Sequence, residues 1–157
     1  SFQLTSKVKK FNDGIGSKWV NELVFVAFCI VPVYELAALA DALVLNSIEF
    51  WTGKKSLADA GETKTIKNSK GQDIEVKTLK NGYALSDGTN SMNLVFNEKE
   101  QIWSAEFQDQ VTNLIKLVDE NNAQLFLKNG EVMDITLNAE GIETARMHMY
   151  NCLAMNN

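Results

Sequence analysis

The sequence is poor in the residues that build most catalytic and metal centres. It contains one histidine, His148, and two cysteines. Zinc sites are built from several closely spaced Cys and His ligands, and that spacing does not occur here. A Ser-His-Asp or Cys-His centre would have to be built on His148, around which no nucleophile motif stands. We therefore predict that the chain is not an enzyme and expect no catalytic residue, metal or cofactor.

Basic charge is also scarce. The formal net charge is −5, and Arg146 is the single arginine. Nucleic acids are bound through clustered Lys and Arg that neutralise phosphates, so we expect no nucleic-acid partner. Glycine-rich phosphate loops and calcium-loop motifs do not occur.

The two cysteines are far apart in the chain. Cys29 lies in an apolar run, and Cys152 lies near the C-terminus. An oxidising compartment would permit a bridge, but two cysteines do not make a disulfide framework. We favour buried free thiols over a bridge, because cysteine packs as a small hydrophobic residue.

A long uninterrupted apolar run is absent, although residues 19–53 are mostly apolar. The longest uncharged run, Leu23–Tyr34, has 12 residues, whereas a membrane-spanning helix needs about 20. The single proline, Pro32, is expected to end one helix before another begins. We favour two helices buried in the core or in an oligomer interface. A helical hairpin in the membrane surface is the alternative, although such helices are usually rich in Lys and Arg.

After Pro32, polar or small residues recur at spacings of three and four on an otherwise apolar helix: Glu35, Ala38, Ala42, Asn46 and Glu49. The candidate interaction stripe consists of Glu35, Asp41, Asn46, Glu49 and Trp51. One interpretation is a helix terminus that caps neighbouring backbone and packs Trp51 on the rest of the protein. The other is a docking edge for an envelope protein, a second copy or the membrane surface, where Trp is enriched.

From residue 63 the apolar pattern changes to a period of two, which is typical of strands. Eight short strands are predicted at 63–68, 72–80, 82–86, 91–97, 101–108, 110–118, 123–128 and 131–137. Asn81-Gly82 and Asn129-Gly130 predict hairpins, since type I′ turns need positive φ at both central residues. Tight turns between sequential strands predict an antiparallel up-and-down meander, either a curled sheet or a small barrel.

A last helix is predicted after Asn138, which is a favourable N-cap. The fold class is therefore α+β. We expect an N-terminal helical segment over 1–53 and an antiparallel β domain with a C-terminal helix over 63–157, packed as one unit.

Five aromatic residues on the predicted strands form a candidate apolar pocket: Tyr83, Phe96, Trp103, Phe107 and Phe126. Binding pockets are commonly apolar and aromatic, so these residues could hold a lipid-like ligand. We favour the alternative, an ordinary core, because a domain of this size needs such side chains for stability.

The string Val-Leu-Asn-Ser-Ile-Glu-Phe-Trp-Thr-Gly at 44–53, with Pro-Val-Tyr at 32–34, resembles an uncharacterised domain family. The members of that family are small lipoproteins of Gram-negative, Bacteroides-type bacteria. Weaker similarity at 2–8, 130–134 and 137–141 extends the resemblance over nearly the whole chain.

The resemblance implies an upstream signal peptide that ends in a lipidated cysteine. It also implies an envelope protein that is tethered to a membrane and faces the periplasm, and it assigns no catalytic residue. We therefore expect an envelope module with a structural or interaction role. The alternative is a binding protein for a lipid-like or other apolar ligand in the β domain.

Overall fold

A computed structural model describes residues 19, 22–23, 26–31, 33–45 and 61–155. Eight strands follow one another along the chain and pair only with their sequence neighbours, always antiparallel. They are β1 (Thr63–Lys67), β2 (Asp73–Leu79), β3 (Gly82–Ser86), β4 (Ser91–Asn97), β5 (Ile102–Phe107), β6 (Gln110–Leu117), β7 (Asn122–Phe126) and β8 (Val132–Thr136). The predicted meander is confirmed. Its first and last strands do not pair, so the sheet is open and does not close into a barrel.

Among the described residues, two helices with complete bounds and one short 3-10 helix accompany the sheet, and residues 22–23 and 26–27 are also helical. The 3-10 helix spans Phe28–Ile30, α1 spans Val33–Leu45 and α2 spans Ala139–Met155. The predicted cap of α2 is confirmed, because the backbone N–H of Gly141 donates to Oδ1 of Asn138 over 2.8 Å. Much of the predicted helical segment 1–53 lies outside the described residues, so its arrangement as two apolar helices is not confirmed.

One face of the sheet, here called the inner face, carries the core. Trp103 on β5 is fully buried, and its ring centroid lies 5.1 Å from that of Phe96 on the neighbouring strand. The two rings are tilted by 56°, a geometry that aromatic pairs favour. Leu36, Leu39 and Leu43 of α1 pack into the same cluster, as do Ile142 and Ala145 of α2. The helices therefore cover the inner face of the sheet.

The hairpin between β2 and β3 differs from its prediction by one residue. Lys80 and Asn81 form the turn, while Gly82 already pairs with Leu79 as the first residue of β3. Gly82 does not have the positive φ that a type I′ turn would require. The type I′ interpretation of Asn81-Gly82 is therefore wrong.

Consecutive positive φ angles occur in a different hairpin. Gln108 and Asp109, between β5 and β6, have φ of 51° and 63°, which match the type I′ geometry. Neither residue is a glycine, so the sequence signal for this turn is weak. At the predicted Asn129-Gly130 turn, Gly130 does have positive φ, at 88°.

The glycine at position 82 is required by packing rather than by its φ angle. A Cβ atom at this position would collide with the carbonyl oxygen of Leu94 and would lie 3.0 Å from Cα of Val95. Both obstacles belong to the backbone of β4, which cannot move aside as a flexible side chain could. The close approach of β3 to β4 therefore depends on the missing side chain.

We predict that Gly82→Ala lowers the free energy of unfolding by about 3 kcal/mol, because overpacking against backbone forces the strands apart. Gly88→Ala is the matched control. Gly88 has φ of 94°, and a Cβ atom there would point into open space among the described residues. The cost of the control is therefore confined to backbone strain of about 1–2 kcal/mol. Urea denaturation measures both values, and equal costs for the two variants would contradict the packing argument.

Candidate functional site

Helix α1 is held by side-chain contacts near both of its ends. The carboxylate of Asp41 accepts hydrogen bonds from the backbone N–H and the hydroxyl of Ser69, over 2.6 and 2.7 Å. At the other end, the side-chain amide of Asn90 donates to the backbone carbonyl of Glu35 over 3.0 Å. Ser69 lies in the β1–β2 turn and Asn90 in the β3–β4 turn. Two turns of the sheet therefore fix the helix.

The two turns are themselves stiffened by side chains. The amide oxygen of Asn68, a buried residue, accepts the backbone N–H groups of Lys70 and Gln72 over 3.0 and 2.9 Å. Asp87 accepts the N–H groups of Thr89 and Asn90 in the same way, over 2.8 and 2.7 Å. Such local bonds are why Asn and Asp are common in turns. They hold the turns in place for α1.

The spacing of the contacts gives the direction of α1. Glu35 and Asp41 are six residues apart, which is roughly 9 Å along a helix. In a meander the β1–β2 and β3–β4 turns lie at the same end of the sheet, two strand spacings apart, or about 10 Å. Because the two lengths match, α1 runs across the ends of β1 to β4.

The predicted interaction stripe is only partly described. Asn46, Glu49 and Trp51 lie outside the described residues. Glu35 is exposed and Asp41 is half-buried against Ser69. Six residues on a helix correspond to a rotation that leaves these two acids about 120° apart, so the structure does not bring them together. Asp41 anchors α1 to the β1–β2 turn, whereas the two interpretations of the stripe stay predictions.

Four of the five predicted pocket residues fill the core. Tyr83, Phe96, Trp103 and Phe107 belong to the buried cluster, whereas Phe126 is half-buried. This packing agrees with the core interpretation that the sequence favoured. Binding of an apolar ligand by these residues stays a prediction.

The opposite, outer face of β4, β5 and β6 carries a separate set of side chains. The register aligns them in three rows across the strands: Asn93, Glu106 and Val111; Val95, Ser104 and Asn113; Asn97, Ile102 and Lys116. Ile102 is only 8% exposed and Ser104 only 9% exposed, although neither belongs to the inner core. Strand β5 is therefore buried on both faces.

These rows border two adjoining cavities of about 390 and 280 Å³, which share Glu106 and Val111. We call their combined surface the outer groove. Ile102 and Val95 give the outer groove apolar area, and Val111, which also lines the groove, is 64% exposed. The hydroxyl of Ser104 donates to Oδ1 of Asn113 over 2.7 Å. A register shift at Trp103 and Ser104 marks a bulge here, and bulges bend a strand and redirect its side chains.

The outer groove has a distinct charge. Glu100, Glu106 and Asp109 line it, together with amides and hydroxyls, and no Lys or Arg is among its lining residues in the described part of the chain. Lys116 follows in the third row but borders neither cavity. The groove therefore offers apolar contact, hydrogen-bond acceptors and negative charge to a ligand.

The described residues do not bring His148 to the outer groove, and they form no metal cluster. His148 lies on α2, which packs on the inner face, whereas Ser104 points to the outer face, so the two cannot pair. Within the described ranges, no three His, Cys, Asp or Glu residues are placed to hold a metal ion. No helix in the described part of the chain is both long and apolar enough to span a membrane.

Sequence reasoning did not find the outer groove. Its residues are separated by turns, and only the register of three strands brings them together. The available signal was Ile102 beside Trp103, because two large apolar neighbours on one strand must point to opposite faces.

The profile of DUF3332, a domain of unknown function, matches residues 1–145. No curated protein and no solved structure matches the chain.

We predict that Asp41→Ala lowers the free energy of unfolding by about 1 kcal/mol at neutral pH, since two hydrogen bonds to α1 are lost. The hydrogen bonds from the hydroxyl and N–H of Ser69 lower the pKa of Asp41. A lowered pKa in the folded state adds stability above the unfolded value of about 3.9, and this stability is lost as the pH falls through the folded pKa.

The difference between wild type and Asp41→Ala should therefore shrink below about pH 4, as measured by urea denaturation across pH. Glu35→Ala, on the exposed side of the same helix, serves as the control and should change stability by less than about 0.5 kcal/mol. A pH-independent difference for Asp41→Ala would contradict the role of its charge.

Proposed function

The chain belongs to the DUF3332 family, and on this premise we propose that it is a non-catalytic interaction module of the Gram-negative cell envelope. Its outer groove binds a basic segment of a partner protein. The observation that carries this proposal is the groove itself, a partly apolar, carboxylate-bearing surface on the sheet face opposite the helices.

The shape of the groove supports a binding role. The outer face of an antiparallel sheet is ordinarily solvated and polar. Here Ile102 and Ser104 are nevertheless buried at its floor, with the exposed side chain of Val111 beside them. Recognition sites combine such apolar area with a few polar groups that fix orientation.

The charge of the groove supports a basic partner. Glu100, Glu106 and Asp109 stand without a Lys or Arg among the described lining residues, and the whole chain carries a net charge of −5. Complementary charge accelerates association and discourages wrong partners. In a segment with Lys or Arg side chains separated by small apolar residues, the basic groups would pair with the carboxylates and the apolar residues would pack on the buried residues at the base of the groove.

The resemblance to small lipoproteins supports the compartment. We propose a chain tethered through an N-terminal lipid that holds the β domain on the periplasmic side. Self-association and contact with the membrane surface are further ways in which the N-terminal segment would act in such a protein.

An apolar ligand in the β domain is the second candidate from the sequence. Tyr83, Phe96, Trp103 and Phe107 pack in the core, so such a ligand would have to displace packed side chains. The outer groove needs no such rearrangement, which is why we place the partner there.

A carbodiimide crosslinker tests the partner, because it joins carboxylates directly to lysine amines. We predict that the full-length protein in envelope extracts forms crosslinks that map to Glu100, Glu106 or Asp109. Replacing these three residues by Gln, Gln and Asn should lower the crosslinking yield about tenfold, and raised salt should lower the yield for wild type.

The matched control replaces three exposed acids outside the groove, Glu62, Glu75 and Glu131, by Gln. It changes the net charge equally and should retain the crosslinks. Crosslinks spread evenly over surface carboxylates, or lost equally in both triple variants, would refute binding in the groove.

The tether has its own test. Expression of the complete gene in a Gram-negative host with labelled palmitate should yield a labelled product that partitions into detergent. Replacement of the cysteine that follows the signal peptide should abolish the label. A product that stays unlabelled and remains in the aqueous phase would refute the lipid anchor without affecting the groove.

A further inference from the structure

Two residues that precede α1, Glu22 and Cys29, contact α2. The two contacts follow the same order along the N-terminal segment and along α2. Glu22 forms an ion pair with Arg146, whose guanidinium also bonds the carboxylate of Glu143 over 3.2 Å. Further along both elements, Cys29 of the 3-10 helix meets Cys152 of α2. The two contacts are seven residues apart in the N-terminal segment and six residues apart in α2. The two contacts therefore define one parallel register between the segment and α2.

The second contact places two thiols side by side. The side chains of Cys29 and Cys152 are hydrogen-bonded to each other, and no disulfide joins them. They are buried, with 4% and 7% of their surfaces exposed. The 3-10 helix packs directly on α2, so the backbones around both cysteines are already adjacent.

We propose that Cys29 and Cys152 are a redox-active pair that closes into an intramolecular disulfide and fastens the N-terminal segment to α2. This inference does not rest on the proposed function, because it concerns the opposite face of the sheet from the outer groove.

The reaction is a thiol–disulfide exchange with a disulfide donor, such as oxidised glutathione or a protein disulfide oxidoreductase. One cysteine thiolate attacks the donor disulfide, forms a mixed disulfide and releases one donor thiolate. The second cysteine then attacks the protein sulfur of the mixed disulfide and releases the other donor thiolate. Two protons pass from the cysteines to the donor thiolates. The protein loses two electrons, and the donor gains them.

The placement of the two sulfurs sets the order of attack. Burial, and then the hydrogen bond to Cys152, raise the pKa of Cys29 to about 12, so its thiolate is scarce at neutral pH and its attack is slow. Cys152 lies in the last turn of α2, which ends at Met155. Helix ends fray readily, so Cys152 is the sulfur that an external donor reaches first.

Because the two cysteines are far apart in the chain, a disulfide between them would stabilise the fold strongly. It would close a loop that contains α1, the entire β meander and most of α2. Long closed loops restrict the unfolded chain more than short ones. The bond would also keep the 3-10 helix on α2 if the segment were pulled from upstream.

The test compares oxidation of the full chain in the native state and in urea, in the same glutathione buffers. Denaturing mass spectrometry after alkylation reads the product. We expect a monomer that has lost two hydrogen atoms and takes up no alkylating agent. Its formation should be about 100-fold more favourable in the native protein than in urea, as expected for a native-state disulfide. This comparison needs no variant, so a folding defect cannot obscure it.

Cys29→Ser and Cys152→Ser serve as controls. The variant that keeps Cys152 should accumulate a glutathione adduct faster than the variant that keeps Cys29. Neither variant should show the rise in melting temperature that oxidation gives the wild type. Mixed disulfides or intermolecular dimers as the native product, or equal oxidation in native and denatured protein, would overturn the proposal.

Discussion

An open meander has one apolar face that must be kept from water, and the rest of this structure depends on that constraint. Each strand places every second side chain on the inner face, where Trp103 is fully buried. A barrel would enclose such residues by closing on itself, but here the order of strands runs from β1 to β8 without closure. The cover has to come from helices, which is why α1 and α2 both contribute to a single core.

Polar contacts decide where that cover lies. Apolar packing is non-directional, so leucines alone would allow α1 to slide over the sheet. The bonds from Ser69 to Asp41 and from Asn90 to Glu35 remove this freedom. In the same way, the ion pair between Glu22 and Arg146 gives the N-terminal segment its register on α2. The exposed bonds add little energy individually, but they select one arrangement.

The sequence predicted the fold well where local patterns determine structure. Alternating apolar residues and turn chemistry identified all eight strands to within a few residues, and Asn138 identified the start of α2. The Asn81-Gly82 signal correctly predicted the β2–β3 hairpin but not its turn type, because a glycine also appears where two backbones approach closely, and sequence alone does not separate these causes. The candidate sites were harder to predict. The outer groove depends on the register of three strands, and the pairing of Cys29 with Cys152 joins distant parts of the chain.

Strand β5 belongs at once to the core and to the outer groove. Trp103 and Ala105 face the helices, while Ile102 and Ser104 face the opposite way, and all four are buried. A change of volume on either side shifts the backbone that both sides share, because close-packed interiors transmit strain. Specificity and folding stability are consequently hard to alter independently in this strand during evolution. Among homologous proteins with different partners, sequence differences should therefore concentrate on the residues of β4 and β6 that border the outer groove on either side of β5.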